Sequence, residues 1–202
     1  SFAAEINKSI PAKMLHGGIA ANYRKLKSAS LSTSGVTTLA RVNEPDDEGA
    51  GAPALALVSG ADFISKPTLH EEVFGPFSLI VQCHDEVELQ KVIESLSGQL
   101  TASVFGTAQD FTTHTTAIQA LQNHCGRLIF NNVPTGVEVC KAMHHGGPYP
   151  STTDARFTSV GNDAIYRFVR PVCFQNAPAE FLPAELQNEN PLNILRCVNN
   201  VW

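Results

Sequence analysis

Apolar residues at the start of the chain follow a helical rhythm. Phe2, Ile6 and Ile10, then Met14, Leu15, Ile19, Tyr23 and Leu26, recur at spacings of about four, the mark of one apolar helix face. Pro11 interrupts the run, so the pattern predicts two helices within 2–28, the second opening near Pro11, where a missing N–H costs little. The pair Gly17-Gly18 is expected to weaken that second helix. Strands are predicted at 36–42 and 54–59, on either side of an acidic, Gly/Pro-punctuated loop at 43–53 that reads as a surface excursion. From residue 78 the rhythm becomes regular. A strand at 78–83 leads to Asp85 and Glu88, spaced as a capping box, and to a helix that turns Val87, Leu89, Val92, Ile93 and Leu96 inward. Next come a strand at 101–106, a helix over about 110–123 with Ile118 and Leu121 inward and Gly126 as its stop, and a strand at 127–131. Alternation of strand and helix with short connections predicts an α/β fold: a doubly wound, mostly parallel sheet with helices on both faces. In such sheets ligands collect at the carboxyl ends of the strands.

Beyond Asn132 the regularity stops. Residues 133–162 form a long Gly/Pro/Thr-rich segment, and a loop of that length in a compact domain is usually functional or disordered. Residues 164–174 alternate apolar with basic side chains, as a half-exposed strand would, and Pro171 favours an edge position. The chain is therefore divided into an α/β domain at 1–163 and a C-terminal extended arm at 164–202, read as an oligomerisation strand and tail. Composition narrows the function. The 202 residues are 43% hydrophobic and 16% charged, with a net charge of −5. The strongest basic cluster is Arg24-Lys25-Lys27, so binding nucleic acid by phosphate neutralisation is not expected. No apolar run approaches the roughly 20 residues needed to span a bilayer, and no membrane partner is expected. Five cysteines, Cys83, Cys125, Cys140, Cys173 and Cys197, are dispersed and form no C-x-x-C pair, which suits reduced thiols and a cytoplasmic location.

Two stretches carry chemistry. In Glu72-Val73-Phe74-Gly75-Pro76-Phe77 a carboxylate and a ring stand two residues apart, on one face if the segment is extended. Such a pair suits a ligand with a sugar diol and a flat heterocycle. A tight turn with a solvated Glu72 and a core Phe74 would read the same way. In the second stretch, 126–150, a strand end feeds Asn131-Asn132, then Thr135-Gly136, then Gly146-Gly147-Pro148, the character of a substrate-access wall. Neither nucleotide-phosphate glycine motif is present. Cys140 and His144 stand four apart beside His145, but no further ligands complete a metal site and no orienting residue completes a Cys–His pair; no metal is expected.

The Glu-x-Phe-Gly-Pro element, together with the order of the 126–150 stretch, Thr158-Ser159-Val160-Gly161 and Arg167-Phe168-Val169-Arg170-Pro171-Val172, resembles the C-terminal catalytic-domain portion of the aldehyde dehydrogenase superfamily. Within it, these elements and Met14-Leu15 … Gly18-Ile19 … Tyr23 look like the branch holding α-ketoglutarate semialdehyde (2,5-dioxopentanoate) dehydrogenases and NADP-dependent fatty aldehyde dehydrogenases. The resemblance implies an enzyme that attacks an aldehyde with a cysteine thiolate, passes a hydride to NAD or NADP, and releases a carboxylate by hydrolysis. It implies that Glu72 holds the nicotinamide-ribose hydroxyls and Phe74 packs on the nicotinamide. It further implies that Asn131, Thr135, Gly136, Val137, His145 and Tyr149 shape the aldehyde pocket, and that a C-terminal strand joins subunits into a dimer or higher homo-oligomer.

One departure bears on catalysis. The family's nucleophilic Cys lies upstream of the Glu-x-Phe element in a Gly-Gln-x-Cys-type segment, whereas all five cysteines here lie downstream of Glu72. The general-base Glu, the oxyanion-holding Asn and the adenosine-binding half are also missing. The expectation is a segment without catalytic residues of its own, inactive by itself, that supplies a cofactor clamp and a tunnel loop to a longer enzyme. The rival is a non-catalytic oligomerisation module with the same fold. Substrate stays open between a small semialdehyde and a long-chain fatty aldehyde.

Overall fold

The computed structural model describes residues 1–202. They form two units, Ser1–Ala164 and Ile165–Trp202. In the first, helix α1 (Phe2–Lys8) is capped by Ser1 and is followed by the short strand β1 (Ala12–Lys13). Helix α2 runs from Gly17 to Ser32. Its start differs from expectation: Gly17-Gly18 opens the helix, because the His16 ring accepts the Ile19 N–H at 3.3 Å and caps the first turn. Pro11 precedes a strand, where its missing N–H is harmless at an edge.

Strand β2 (Thr37–Arg41) pairs antiparallel with β4 (Ala54–Ser59), and the short β3 (Ala50–Gly51) pairs antiparallel with β1. On its other side β4 pairs parallel with β5 (Phe77–Gln82). A strand with neighbours on both edges and cover on both faces reads as a continuous apolar run, and Ala54, Leu55, Ala56 and Val58 of β4 are all buried. At the sheet edge β5 alternates half-buried and exposed positions. Between β4 and β5 lie helix α3 (Gly60–Ser65), which the sequence pattern does not announce, and a 3₁₀ turn at Pro67–His70. Val58, Phe63, Leu69 and Val92 form the core here, with Leu79, Val81 and Cys83 packed against it.

Helix α4 (Glu86–Ser95) starts on Asp85, whose carboxylate accepts the Glu88 N–H at 2.8 Å. The return bond from Glu88 goes to the His84 N–H rather than to Asp85, so the capping box is offset by one residue. Val92 and Ile93 are buried, but Val87 is 64% exposed and does not turn inward. Strand β6 (Gln99–Val104) pairs parallel with β7 (Cys125–Phe130). The single expected helix between them is two, α5 (Ala108–Thr113) and α6 (Thr115–Gln122). The hydroxyls of Thr112, Thr113 and Thr115 each donate to carbonyls of the preceding turn, a local competition that weakens a continuous helix. Gly126 lies inside β7 and stops no helix.

The α/β class and the parallel pairings β4–β5 and β6–β7 are as expected, but the ladders are separate: β1–β3, β2–β4–β5 and β6–β7. Where the chain passes from the first unit into the second, the reading of 164–174 as a strand is corrected. A 3₁₀ turn occupies Asn162–Arg167, and 168–175 carry no ladder, since a strand needs a partner edge for its N–H and C=O groups. No residue of 165–202 is buried. No helix is long and apolar enough to cross a membrane.

Candidate functional site

The floor of the site is built by α2. Its buried positions, Ala20, Tyr23, Lys27 and Ser30, recur at i, i+3, i+7 and i+10, a true helix stripe with polar members. The Tyr23 hydroxyl reaches the Ala52 carbonyl at 2.7 Å and the Pro76 carbonyl at 3.1 Å. Lys27, only 1% exposed, donates to the Ala52 carbonyl at 3.0 Å and pairs with Glu44 at 2.7 Å. Its ammonium lies 4.7 Å from the Tyr23 ring centroid, within cation–π range. A lysine this deep needs its charge matched, and Glu44 supplies the match. Burial pushes the Glu44 carboxyl up, but the hydrogen bonds and charges of Lys27 and Arg41 outweigh it and hold Glu44 below the usual carboxylate range. Burial, then the Glu44 charge, pushes the Tyr23 phenol well above its ordinary value, against a smaller opposing effect of Arg41.

The 43–53 loop is therefore no simple surface excursion. It carries Glu44 to Lys27, presents the Ala52 carbonyl to both Tyr23 and Lys27, and buries Ala50, Gly51 and Ala52 against α2. Sequence reasoning missed Tyr23, Lys27 and Glu44 as a unit. The available signal was the i, i+4 spacing of Tyr23 and Lys27 on a helix and the acidic loop at 43–53, which offers four carboxylates to answer the lysine.

Above this floor sits the Glu72–Pro76 segment. Gly75 has φ +156°, and a Cβ there would overlap the Tyr23 ring, so only glycine permits this approach. The Pro76 carbonyl also accepts the Ala54 N–H at 3.0 Å, which delivers the chain into β5. Glu72 and Phe74 are exposed and Val73 between them is half-buried, the alternation of an extended segment. Val73 lines a small cavity of about 240 Å³ with Leu26 and Ala29 of α2 and with Thr33 just past its end. Glu72 lines an open cleft of about 640 Å³ with His70, Glu71, residues 97–101, Pro150 and Ser151. Phe74 is 57% exposed and lies outside that lining.

Two carboxylates and no lysine or arginine line the cleft. Carboxylates only accept hydrogen bonds, so such a wall suits hydroxyl donors and cations and repels phosphate. A ribose diol and a positively charged pyridinium ring meet that description, and the residues present fit the nicotinamide-ribose end of a dinucleotide. His70 is not free to join them. Its Nε2 lies 2.8 Å from the Phe63 carbonyl and its ring stacks on Phe63 at 4.4 Å.

The far wall is the 146–151 strap, which crosses the amino ends of β6 and β7. The Gly98 N–H donates to the Tyr149 carbonyl at 3.3 Å. A Cβ on Gly126 would strike the Gly146 carbonyl, so strap and strand meet backbone to backbone. The Tyr149 ring is 80% exposed. His145 is half-buried. Its N–H donates to the Thr158 hydroxyl at 2.8 Å, its carbonyl accepts from Ser159, and its Nδ1 is buried without a partner.

Asn131 stands elsewhere. It follows the carboxyl end of β7, with φ +48°, and its amide exchanges hydrogen bonds with the Gly106 main chain at 2.8 and 2.9 Å. Its N–H donates to Val104 at the end of β6, three residues beyond Thr101, the last cleft residue on that strand; at about 3.3 Å per residue that is about 10 Å from the cleft wall. Thr135, Gly136 and Val137 lie on the exposed loop that follows. Arg127, also unforeseen, folds that loop back by donating to the Gly136 and Pro134 carbonyls at 3.0 and 3.4 Å. The structure thus brings Glu72 together with the strap and leaves Asn131 at the opposite end of β6 and β7.

All five cysteines are unpaired. Burial, then the charges of Glu88 and Asp85, raises the Cys83 thiol, and burial raises Cys125 against weaker backbone hydrogen bonds. Both are held as thiols, the unreactive form.

The chain matches no protein-family model. It is 43% identical over 183 residues to alpha-ketoglutaric semialdehyde dehydrogenase 2 of Azospirillum brasilense, covering 91% of this chain and 35% of that protein. It is 40% identical over 194 residues to alpha-ketoglutaric semialdehyde dehydrogenase of Acinetobacter baylyi, covering 96% and 37%. The chain thus spans about a third of the length of these curated relatives. Among solved structures it resembles delta-pyrroline-5-carboxylate dehydrogenase from Mycobacterium tuberculosis, with a TM-score of 0.59 over 84% of this chain and 32% of that one at 17% identity. Aldehyde dehydrogenase 21 from Physcomitrella patens aligns with a TM-score of 0.53 over 72% of this chain and 30% of that one at 18% identity. At those identities the structural likeness concerns the fold.

Proposed function

Because this chain belongs to the aldehyde dehydrogenase superfamily, we propose that the protein it forms part of oxidises an aldehyde to a carboxylate with NAD or NADP, and that this chain grips the nicotinamide end of the cofactor. The observation that carries the reading is the Glu72 carboxylate on an open cleft lined by no lysine or arginine. When bound, the nicotinamide would supply a hydride acceptor. Glu72 would accept the ribose hydroxyls and Phe74, exposed two residues on, would restrain the ring, a positioning role. Hydrogen bonds to a charged group contribute about 1.5–3 kcal/mol. Glu72→Gln in the full-length protein is therefore expected to raise the cofactor KM about tenfold or more, and unchanged cofactor KM and turnover would rule the assignment out.

The relatives' names support α-ketoglutarate semialdehyde as substrate; a long-chain aldehyde is the competing choice. Of the residues read as the aldehyde pocket, Asn131, Thr135, Gly136 and Val137 follow the carboxyl end of β7, whereas His145 and Tyr149 belong with the strap at the amino ends, and the pocket is assigned to these two groups rather than to one cluster. Of these, Tyr149 has its ring free beside the cleft strap, while His145 serves from a half-buried position. Assaying the full-length protein with 2,5-dioxopentanoate and a long-chain aldehyde, each with NAD and NADP, decides between the substrates and the cofactors. The catalytic thiol is assigned outside this chain, since all five cysteines lie downstream of Glu72, whereas the family's nucleophile lies upstream of the Glu-x-Phe element.

The arm at 164–202 is assigned to joining copies of the protein. Its exposed apolar side chains, among them Phe168, Leu195 and Trp202, and its unpaired backbone suit pairing with another chain. Deleting 165–202 is expected to lower the oligomeric mass in light scattering; an unchanged mass would refute this role. A non-catalytic module of the same fold would show no cofactor binding at all.

A further inference from the structure

We infer that Tyr23 is the positioning residue that sets where Glu72 and Phe74 stand, with Lys27 and Glu44 holding Tyr23 in place. This rests on the reading of Glu72 and Phe74 as the nicotinamide-ribose clamp. Residues 72–74 belong to no helix or ladder, and their main chain makes no hydrogen bond within the chain. Apart from the half-buried Val73 side chain beside α2, nothing in the segment fixes its height above the cleft. The fixed point comes next, at Gly75-Pro76, and the side chain that holds it is Tyr23. The Tyr23 ring lies flush under Gly75, where no Cβ would fit, and the hydroxyl reaches the Pro76 carbonyl at 3.1 Å.

Tyr23 itself has no freedom to follow the turn if the turn moves. It is fully buried, its hydroxyl reaches the Ala52 carbonyl at 2.7 Å, and the Lys27 ammonium covers its ring at 4.7 Å. Lys27 is tied in turn to the same Ala52 carbonyl and to Glu44. The line from a rigid helix to the clamp is thus continuous: α2, the Tyr23 ring and hydroxyl, Gly75-Pro76, then Phe74 and Glu72. A side chain held this way supports a binding group without touching the ligand, and the binding group works only within a narrow tolerance of position.

The test uses the full-length protein. Tyr23→Phe keeps the ring under Gly75 and removes only the hydroxyl. It is expected to raise the KM for NAD(P) about 3- to 10-fold, the range of one lost hydrogen bond, with the KM for the aldehyde unchanged. Gly75→Ala, which forces the turn off the ring, is expected to give the same signature with a larger cofactor effect. The decisive measurement combines the variants. If Tyr23 acts through Glu72 and Phe74, its cofactor effect shrinks in a Glu72→Gln background and disappears once Phe74→Ala is added, whereas a merely structural role adds independently in both. A Tyr23→Phe protein with reduced thermal stability but an unaltered cofactor KM overturns the inference, as does full additivity with Glu72→Gln. Should Glu72→Gln alone leave the cofactor KM unchanged, the clamp itself is wrong and Tyr23 falls with it, a result distinguishable from the first two.

Discussion

The two units of this chain use similar apolar material to opposite effect. In Ser1–Ala164, Leu55 and Val58 are 1% exposed and Tyr23 is fully buried. In Ile165–Trp202, Phe168 is 84% exposed, Leu195 80% and Trp202 80%, and nothing is buried. Hydrophobicity does not separate the regions; hydrogen-bonded pairing does. The first unit satisfies its main chain in ladders and helices, and those elements then stack their side chains. The second has one isolated bridge, Val198 with Val201, and short turns. A segment that cannot pair its own backbone cannot assemble an interior.

Substitutions sharpen this contrast in order of size. Leu55→Ala is expected to destabilise the protein by about 3 kcal/mol, as for a fully buried leucine, read as a lower urea midpoint. Glu44→Ala leaves Lys27 buried and without its counter-ion, which is expected to cost about 2–3 kcal/mol, short of the full penalty because Glu44 is itself partly exposed. A third expectation concerns pH. Glu44 has a folded-state value below its unfolded one, so its contribution is present above the ordinary carboxylate value and is lost as pH falls through the depressed one. The urea midpoint of wild type should therefore drop on acidification more steeply than that of Glu44→Gln; equal slopes would show the Lys27 pair to be irrelevant. Smallest of all, Leu195→Ala is expected to change the unfolding free energy of the isolated protomer by less than about 0.5 kcal/mol in urea titration. A large loss there would mean that the tail has an interior after all, and the contrast would break.

Much of the fold was legible. The apolar runs at 36–42, 54–59 and 78–83 each lie within a residue or so of a real strand, because a strand's burial is written in consecutive residues. The Asp85 cap was legible for the same reason: donor and acceptor are three residues apart. The Thr107–Asp110 capping box that opens α5 was equally local and was overlooked. Less visible was which face of α2 goes inward. Counting apolar residues alone extends the stripe back to Leu15, which precedes the helix and is 89% exposed, and passes over Lys27, which is buried. Lysine is a surface residue by default, and only the return of Glu44 and the Ala52 carbonyl from the following loop makes its burial tolerable. The strand expected at 164–174 failed for a related reason, since alternation states what a strand would look like without supplying the edge it must join.

For the candidate site, the chain's own order of residues was enough to single out Glu72, Phe74 and the Gly-Pro turn, since carboxylate, ring and turn are neighbours along one short segment. Three-dimensional packing alone settled that Glu72 shares a cleft with Pro150 and Ser151, that Asn131 stands at the other end of the strands, and that Tyr23 lies beneath Gly75. The division follows from range. Backbone conformation and side-chain alternation are decided within a few residues, whereas a buried ion pair, a ring packed under a turn and a cleft join groups about 17 to 80 positions apart, which only the folded chain brings together.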